Sequence, residues 1–256
     1  MNRIEALFSK KKNNVLNIYC TAGFPNLAST NIILQALQNN GADIIEIGMP
    51  YSDPLADGEV IQASSHIALQ NGMSIEILFE QLKDVRNEIK VPLILMGYMN
   101  PVMQYGIEKF CANAAEVGID GIILPDLPLH EFEQEYKKMF EKYQLSFTFL
   151  VTPETSEERI KKIDSLSTGF IYAVSSSATT GNSKPIEAQQ SYFKKLQQMN
   201  LTNPILVGFG IHNKQTFTAA CTHTNGAIIG SAYIKSLQVN TDIATTTSHF
   251  LKSIIG

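Results

Sequence analysis

Residues 44–58 read Ile44-Ile45-Glu46-Ile47-Gly48, then Met49-Pro50-Tyr51-Ser52-Asp53-Pro54-Leu55-Ala56-Asp57-Gly58. The first part is a short, β-branched run whose hydrophobicity is continuous except at one carboxylate, as expected of a strand buried on both faces; the second is a turn-rich connection. Working outward, similar apolar runs occur at 15–20, 92–97, 121–125, 146–151, 169–174, 204–208 and 226–229, so that with 44–48 there are eight. Amphipathic stretches separate them. One sets Ile75, Leu78, Phe79, Leu82, Val85 and Ile89 at steps of three and four, which is one helical face, and another carries Phe132, Tyr136, Met139, Phe140 and Tyr143. Strict alternation of strand and helix implies a parallel sheet, and eight repeats favour a closed α/β barrel, a single (β/α)8 TIM barrel, over an open doubly wound sheet. The 256 residues match the roughly 250 that such a barrel needs, so one domain over 1–256 is expected.

Composition narrows the function. A net charge of -4 and 44% hydrophobic residues supply a core but no basic excess for nucleic acid. The N-terminal Met1–Asn13 contains Ile4, Leu7 and Phe8 on one face, which predicts a short docking helix; it has no apolar run long enough for a signal sequence or membrane span, and a cytoplasmic protein is expected. Cys20, Cys111 and Cys221 are scattered and odd in number, so they read as buried structural thiols in a reducing compartment.

In a barrel the chemistry sits at the C-terminal ends of the strands. Two connections there are long: Pro50 to a helix beginning near Ser74, and the Ser-, Thr- and Gly-rich stretch from Ser175 to about Pro185; these long loops after strands 2 and 6 read as lids or binding loops. Glu46 breaks a buried strand, where a carboxylate costs roughly several kcal/mol unless protonated or paired. It is a general acid–base candidate, with a structural ion pair as the alternative. Asp57 follows the same strand and could be a plain turn-former, but its proximity to Glu46 makes it a second catalytic candidate. Gly208-Phe209-Gly210 and Gly230-Ser231-Ala232 close the seventh and eighth runs and offer bare backbone N–H groups where a barrel commonly binds phosphate. Thr180-Gly181 could add contacts or a lid. None of the eight runs contains a lysine for a Schiff base, and His66, His130, His212, His223 and His249 are dispersed, with only His212 placed near an expected site. Acid–base chemistry on a small phosphorylated substrate remains.

The stretch Glu46 to Gly58 resembles the α subunit of tryptophan synthase, as do Thr21-Ala22-Gly23-Phe24-Pro25, Met96-Gly97-Tyr98-Met99-Asn100-Pro101, Pro125-Asp126-Leu127-Pro128, Thr179-Thr180-Gly181, Gly208-Phe209-Gly210-Ile211 and Gly230-Ser231-Ala232. The resemblance implies reversible retro-aldol cleavage of indole-3-glycerol phosphate to indole and glyceraldehyde 3-phosphate, without a cofactor in this subunit. Glu46 would then move the protons and Asp57 hold the indole N–H. Tyr19, Met96, Tyr98, Leu124, Phe170 and Tyr172 would line the indole slot, with barrel packing the alternative for all six and an equal one for Phe170. Gly181, Gly208, Gly210, Gly230 and Ser231 would hold the phosphate, beneath Thr180 in the lid. It also implies a pyridoxal-phosphate-dependent β subunit as partner, in an α2β2 heterotetramer, docking near Pro50, Asp53 and residues 99–106. Two departures stand out: Ser175-Ser176-Ser177-Ala178 lacks the basic residue many relatives carry, and Glu59 replaces a common proline. Other phosphate-binding barrels, such as isomerases of phosphoribosyl intermediates, an idle regulatory barrel and a lyase without a β subunit are the alternatives.

Overall fold

The computed structural model describes residues 2–174, 189–208, 210–239 and 242–256. Its strands are β1 (Val15–Thr21), β2 (Ile44–Gly48), β3 (Leu93–Met96), β4 (Gly121–Ile123), β5 (Ser146–Phe147), β6 (Leu150–Val151), β7 (Ile171–Val174), β8 (Ile205–Gly208) and β9 (Gly226–Ile229). Paired neighbours are parallel and run in the order β5-β4-β3-β2-β1-β9-β8-β7-β6. The two ends of that order are halves of one expected strand, 146–151. Between them Thr148 N–H donates to Ile122 O at 3.1 Å on one side, and Phe149 O accepts from Tyr172 N–H at 3.0 Å on the other. The sheet therefore closes through this stretch into the expected (β/α)8 barrel. The expected loop at 175–185, with Thr180 and Gly181, lies outside the described residues.

Side-chain alternation divides the core in two. Inward positions such as Val15, Ile44, Ile94, Ile123, Phe170, Leu206 and Ile228 fill the barrel, while outward ones such as Leu16, Ile45, Leu95 and Val207 meet the helices. Helix Arg3–Lys10 plugs the N-terminal end. Asn2 caps it in a capping box, and fully buried Ile4 joins the interior cluster with Leu7 and Phe8 packed beside it. The bottom is clasped by Asp120, which accepts from Arg3 at 3.0 Å, from Leu93 N–H at 2.9 Å and from Arg86, whose guanidinium also reaches the carbonyls of Gly118, Ile89 and Val91. Cys20 and Cys111 are buried as expected, but Cys221 is only half-buried.

Three expectations need correction. The stretch from Pro50 towards Ser74 is not loop throughout, because helix Glu59–Gln70 occupies its second half. Its buried face is Ile61, Ser64, Ser65 and Ala68, with two serines interrupting the apolar stripe that Val60, Ile61 and Ile67 begin. Ser64 hydroxyl instead bonds the Thr21 hydroxyl at 2.7 Å. The face from Ile75 to Ile89 breaks into helices Ile75–Leu82 and Val85–Glu88. The Phe132 stretch is a π turn, Phe132–Tyr136, before helix Lys137–Lys142. Among the described residues no helix is long and apolar enough to cross a membrane, and no cluster of His, Cys, Asp and Glu could hold a metal ion.

Candidate active site

A cavity of about 540 Å³ opens at the C-terminal ends of the strands, lined by Tyr19, Asp57, Met96, Tyr172, Gly210, Gly230 and Ser231 among others. Those seven were expected from the sequence, and they come together from six different strand ends. Glu46 lies in the layer behind this surface and is fully buried. It pairs in register with Tyr19 and Ile94 and bears electrostatically on both Tyr19 and Tyr172. Leu124 and Phe170 are buried without lining the cavity, and Phe170 belongs to the barrel's interior cluster.

The environment of Glu46 is nearly apolar. Asn17 Nδ2 donates to its Oε1 at 2.5 Å, while Oε2 has no hydrogen-bond partner among the described residues. Burial pushes the carboxyl up to about 8, against the opposing pull of the Asn17 hydrogen bond. No ion pair compensates it among the described residues. Asp57 differs: burial raises it to about 6, and the Tyr98 hydroxyl hydrogen-bonds its carboxylate and holds it down. The same hydroxyl accepts from Ala56 N–H at 3.0 Å, so Tyr98 fixes the loop and the carboxylate together instead of lining the cavity. Tyr51 stacks at a tilt on Tyr98, centroids 5.4 Å apart, and accepts from Asn100 at 3.0 Å, which ties the loop after β2 to the helix Met99–Tyr105.

Two strand-end glycines serve the tyrosines. A β-carbon on Gly48 would lie 1.9 Å from the Tyr19 hydroxyl oxygen, and one on Gly208 would lie 2.2 Å from that of Tyr172. Gly208 thus has a packing reason to be glycine. Gly230 does not, since a β-carbon there would make only ordinary contacts of 3.4 Å or more with Tyr19. At this end of the cavity Ser231 opens helix Ser231–Val239, whose N–H groups ahead of Ile234 lack intrahelical acceptors, while that of Ile234 donates to Gly230 O at 3.0 Å. Gly210 adopts a positive φ of 75°, and His212 Nδ1 lies 3.0 Å from Gly210 O, fixing that turn.

Reading the sequence did not identify Asn17, Glu59 as a wall residue, Val60, Ile61 or Lys235. Lys235 lies four residues after Ser231, one turn along the same helical face, and that spacing was the available sign. For Asn17 it was a lone amide in Val15-Leu16-Asn17-Ile18-Tyr19, on the same side of the strand as Tyr19.

Comparison with known proteins agrees with this geometry. Residues 5–253 match the family model described as tryptophan synthase alpha chain. The chain is 51% identical to the tryptophan synthase alpha chain of Parabacteroides distasonis over 255 residues, 99% of each protein. It is 55% identical to that of Flavobacterium johnsoniae over 238 residues, 93% of this chain and 94% of the relative. Among solved structures, tryptophan synthase subunit alpha from Legionella pneumophila superposes with a TM-score of 0.90 at 30% identity, covering 99% of this chain and 97% of that one. The tryptophan synthase complex from Pyrococcus furiosus contains a chain with a TM-score of 0.86 at 31% identity, covering 96% and 99%.

Proposed function

The chain belongs to the tryptophan synthase alpha chain family, a lyase family of tryptophan biosynthesis, and we propose that Glu46 and Asp57 carry its reaction, the cleavage of indole-3-glycerol phosphate to indole and glyceraldehyde 3-phosphate. The carrying observation is the separation of the two carboxyls, one held near 8 and the other near 6. At neutral pH Glu46 keeps its proton and Asp57 does not, which divides the roles of acid and anion. Protonated Glu46 gives its proton to indole C3, and positive charge then develops on the ring nitrogen. The Asp57 carboxylate, held by Tyr98, accepts the indole N–H and stabilises that charge. Glu46, now ionised, takes the proton of the glycerol hydroxyl next to the scissile bond. The C–C bond breaks, its electrons return to the ring, and an aldehyde forms, so the proton count balances without a cofactor.

Tyr19, Met96 and Tyr172 form the wall against which an indole would lie. Gly210, Gly230 and Ser231 bind the phosphate, with Gly208 nearby and Thr180 and Gly181 as further contacts; Gly230 lacks a packing reason for its bare backbone, which supports this assignment. Lys235 on the same wall adds a cation. The whole chain works as one domain, in the cytoplasm, with pyridoxal phosphate confined to a β-subunit partner in an α2β2 assembly. Exposed Leu55 and Met103, at 84% and 59%, sit in the loop after β2 and the helix after β3 and offer apolar surface to that partner beside Pro50 and Asp53.

The test is to incubate the chain with indole-3-glycerol phosphate and quantify both products, beside Glu46→Gln and Asp57→Asn, each alone and with a β subunit. Cleavage lost in both folded variants supports the assignment. Absence of cleavage by the wild type even with a β subunit overturns it.

A further inference from the structure

Asn17 occupies an inward position of β1, fully buried, and its register neighbours are Ile44 on one side and Ile228 on the other. Val15 lies below it on the same face. An amide in so apolar a layer is unfavourable unless it does something an aliphatic side chain cannot. Among the described residues its single side-chain partner is Glu46: Nδ2 sits 2.5 Å from Oε1, and both the remaining amide oxygen and the remaining carboxyl oxygen are buried without a partner there.

We propose that Asn17 is a positioning residue that clamps Glu46 Oε1 in both protonation states and so leaves Oε2 as the oxygen that exchanges protons with the substrate. This rests on the acid–base role assigned to Glu46 above. A primary amide suits the task because it offers an N–H donor and no proton that it loses in the working range. Its NH2 group donates to Oε1 both when Glu46 is a carboxylate and when the acid carries its proton on Oε2, because Oε1 is an acceptor in either state. Glu46 thus keeps one rotamer through a cycle in which it first loses and then regains a proton. The other groups facing Glu46 do not compete in the working range. Tyr19 from β1 and Tyr172 from β7 titrate far above neutrality because burial holds them neutral, Cys20 on the opposite face of β1 is raised for the same reason, and β3 presents only Ile94. Asp57, from the loop, is the one other carboxyl in this set.

The experiment uses the folded chain, with and without a β subunit, in wild type, Asn17→Leu, Asn17→Asp and Glu46→Gln forms. Carboxyl carbons of glutamate are labelled with 13C, and the Glu46 resonance is identified by its loss in Glu46→Gln. In Asn17→Leu the Glu46 titration should move upward by about one pH unit, the size expected for losing a hydrogen bond to a charged group. The matching limb of the kcat profile should move with it, and kcat at neutral pH should fall roughly tenfold while KM stays within about a factor of two. Asn17→Asp is isosteric and tests the idea should the leucine variant not fold: two carboxyls sharing one proton should drive the upper titration further up. An unmoved Glu46 titration and unchanged kcat in either folded variant overturn the positioning role and leave Glu46 as the acid–base group. Full cleavage by Glu46→Gln overturns the role of Glu46 itself, and this proposal with it.

Discussion

Glu46→Gln should make the protein more resistant to unfolding as pH rises, and the size of the effect follows from where Glu46 sits. In the unfolded chain its carboxyl titrates near 4.5, whereas burial in the folded barrel holds it near 8. The folded state therefore keeps a proton that the unfolded state releases. Stability associated with this group is fully present below pH 4.5, falls as pH rises and levels off above 8. At 1.36 kcal/mol per unit, that interval amounts to roughly 4–5 kcal/mol at the upper end. Glutamine does not titrate, so it escapes this loss, although its Nε2 would take the place of Oε2 and lack a buried acceptor, at a pH-independent cost of about 1–3 kcal/mol. Urea unfolding of wild type and variant from pH 5 to 9 separates the two contributions. The variant should be the less stable at pH 5 and the more stable at pH 9, with the difference between them changing by several kcal/mol. Shared titrations, including that of Asp57, cancel in this difference. A wild-type-minus-variant difference that stays flat across the range would mean that Glu46 is hydrated or ion-paired in solution, and the acid–base assignment would lose its physical basis.

Four further outcomes are expected. In the wild type, kcat should fall below a limb near pH 6, where Asp57 gains a proton, and Asp57→Asn should abolish that limb while lowering kcat about 10²-fold or more; an unchanged acidic limb in this variant assigns it elsewhere. Gly48→Ala should displace Tyr19 into the cavity, destabilise the fold by about 1–3 kcal/mol in urea and depress cleavage, whereas wild-type stability would show that the ring has room to move. Asp120→Ala should cost about 3 kcal/mol by thermal or urea unfolding, the lower end for a broken buried pair because Arg86 keeps three carbonyl acceptors; a loss under about 1 kcal/mol would show that the clasp contributes little. Lys235→Met should raise KM for the phosphorylated substrate several-fold with kcat nearly unchanged, and an unaltered KM would remove Lys235 from the phosphate end.

The barrel was legible because the physics that builds it is local. Buried parallel strands must be apolar on both faces, so eight runs stood out, and their order alone predicted closure. Boundaries were less legible: 146–151 reads as one strand, but its first half pairs with β4 and its second with β7, a division set by closure and not by composition. Helix Glu59–Gln70 escaped notice because a helix packed closely against a barrel can bury serine and alanine, as Ser64, Ser65 and Ala68 do, and small residues carry no hydrophobic period.

The candidate site divides along the same line. Glu46 was conspicuous because a carboxylate violates the pattern of its own strand, and violations of local rules concentrate where function demands them. Asn17 violates the pattern of β1 in the same way but more weakly, since an amide is a smaller affront to a core than a charge. Its meaning depends on the parallel register of β1 and β2, which sets Tyr19 opposite Glu46 and brings the Asn17 amide within 2.5 Å of the carboxyl. Gly48 and Gly208 teach the complementary point. From the sequence both are strand-end glycines, of which only Gly208 was assigned to phosphate. In three dimensions each is the floor beneath a tyrosine hydroxyl, while Gly230 has no such neighbour. Glycine at a strand end therefore reports a close approach without naming what approaches. Only where no side chain of the protein fills the space, as at Gly230, does the bare backbone argue for a ligand.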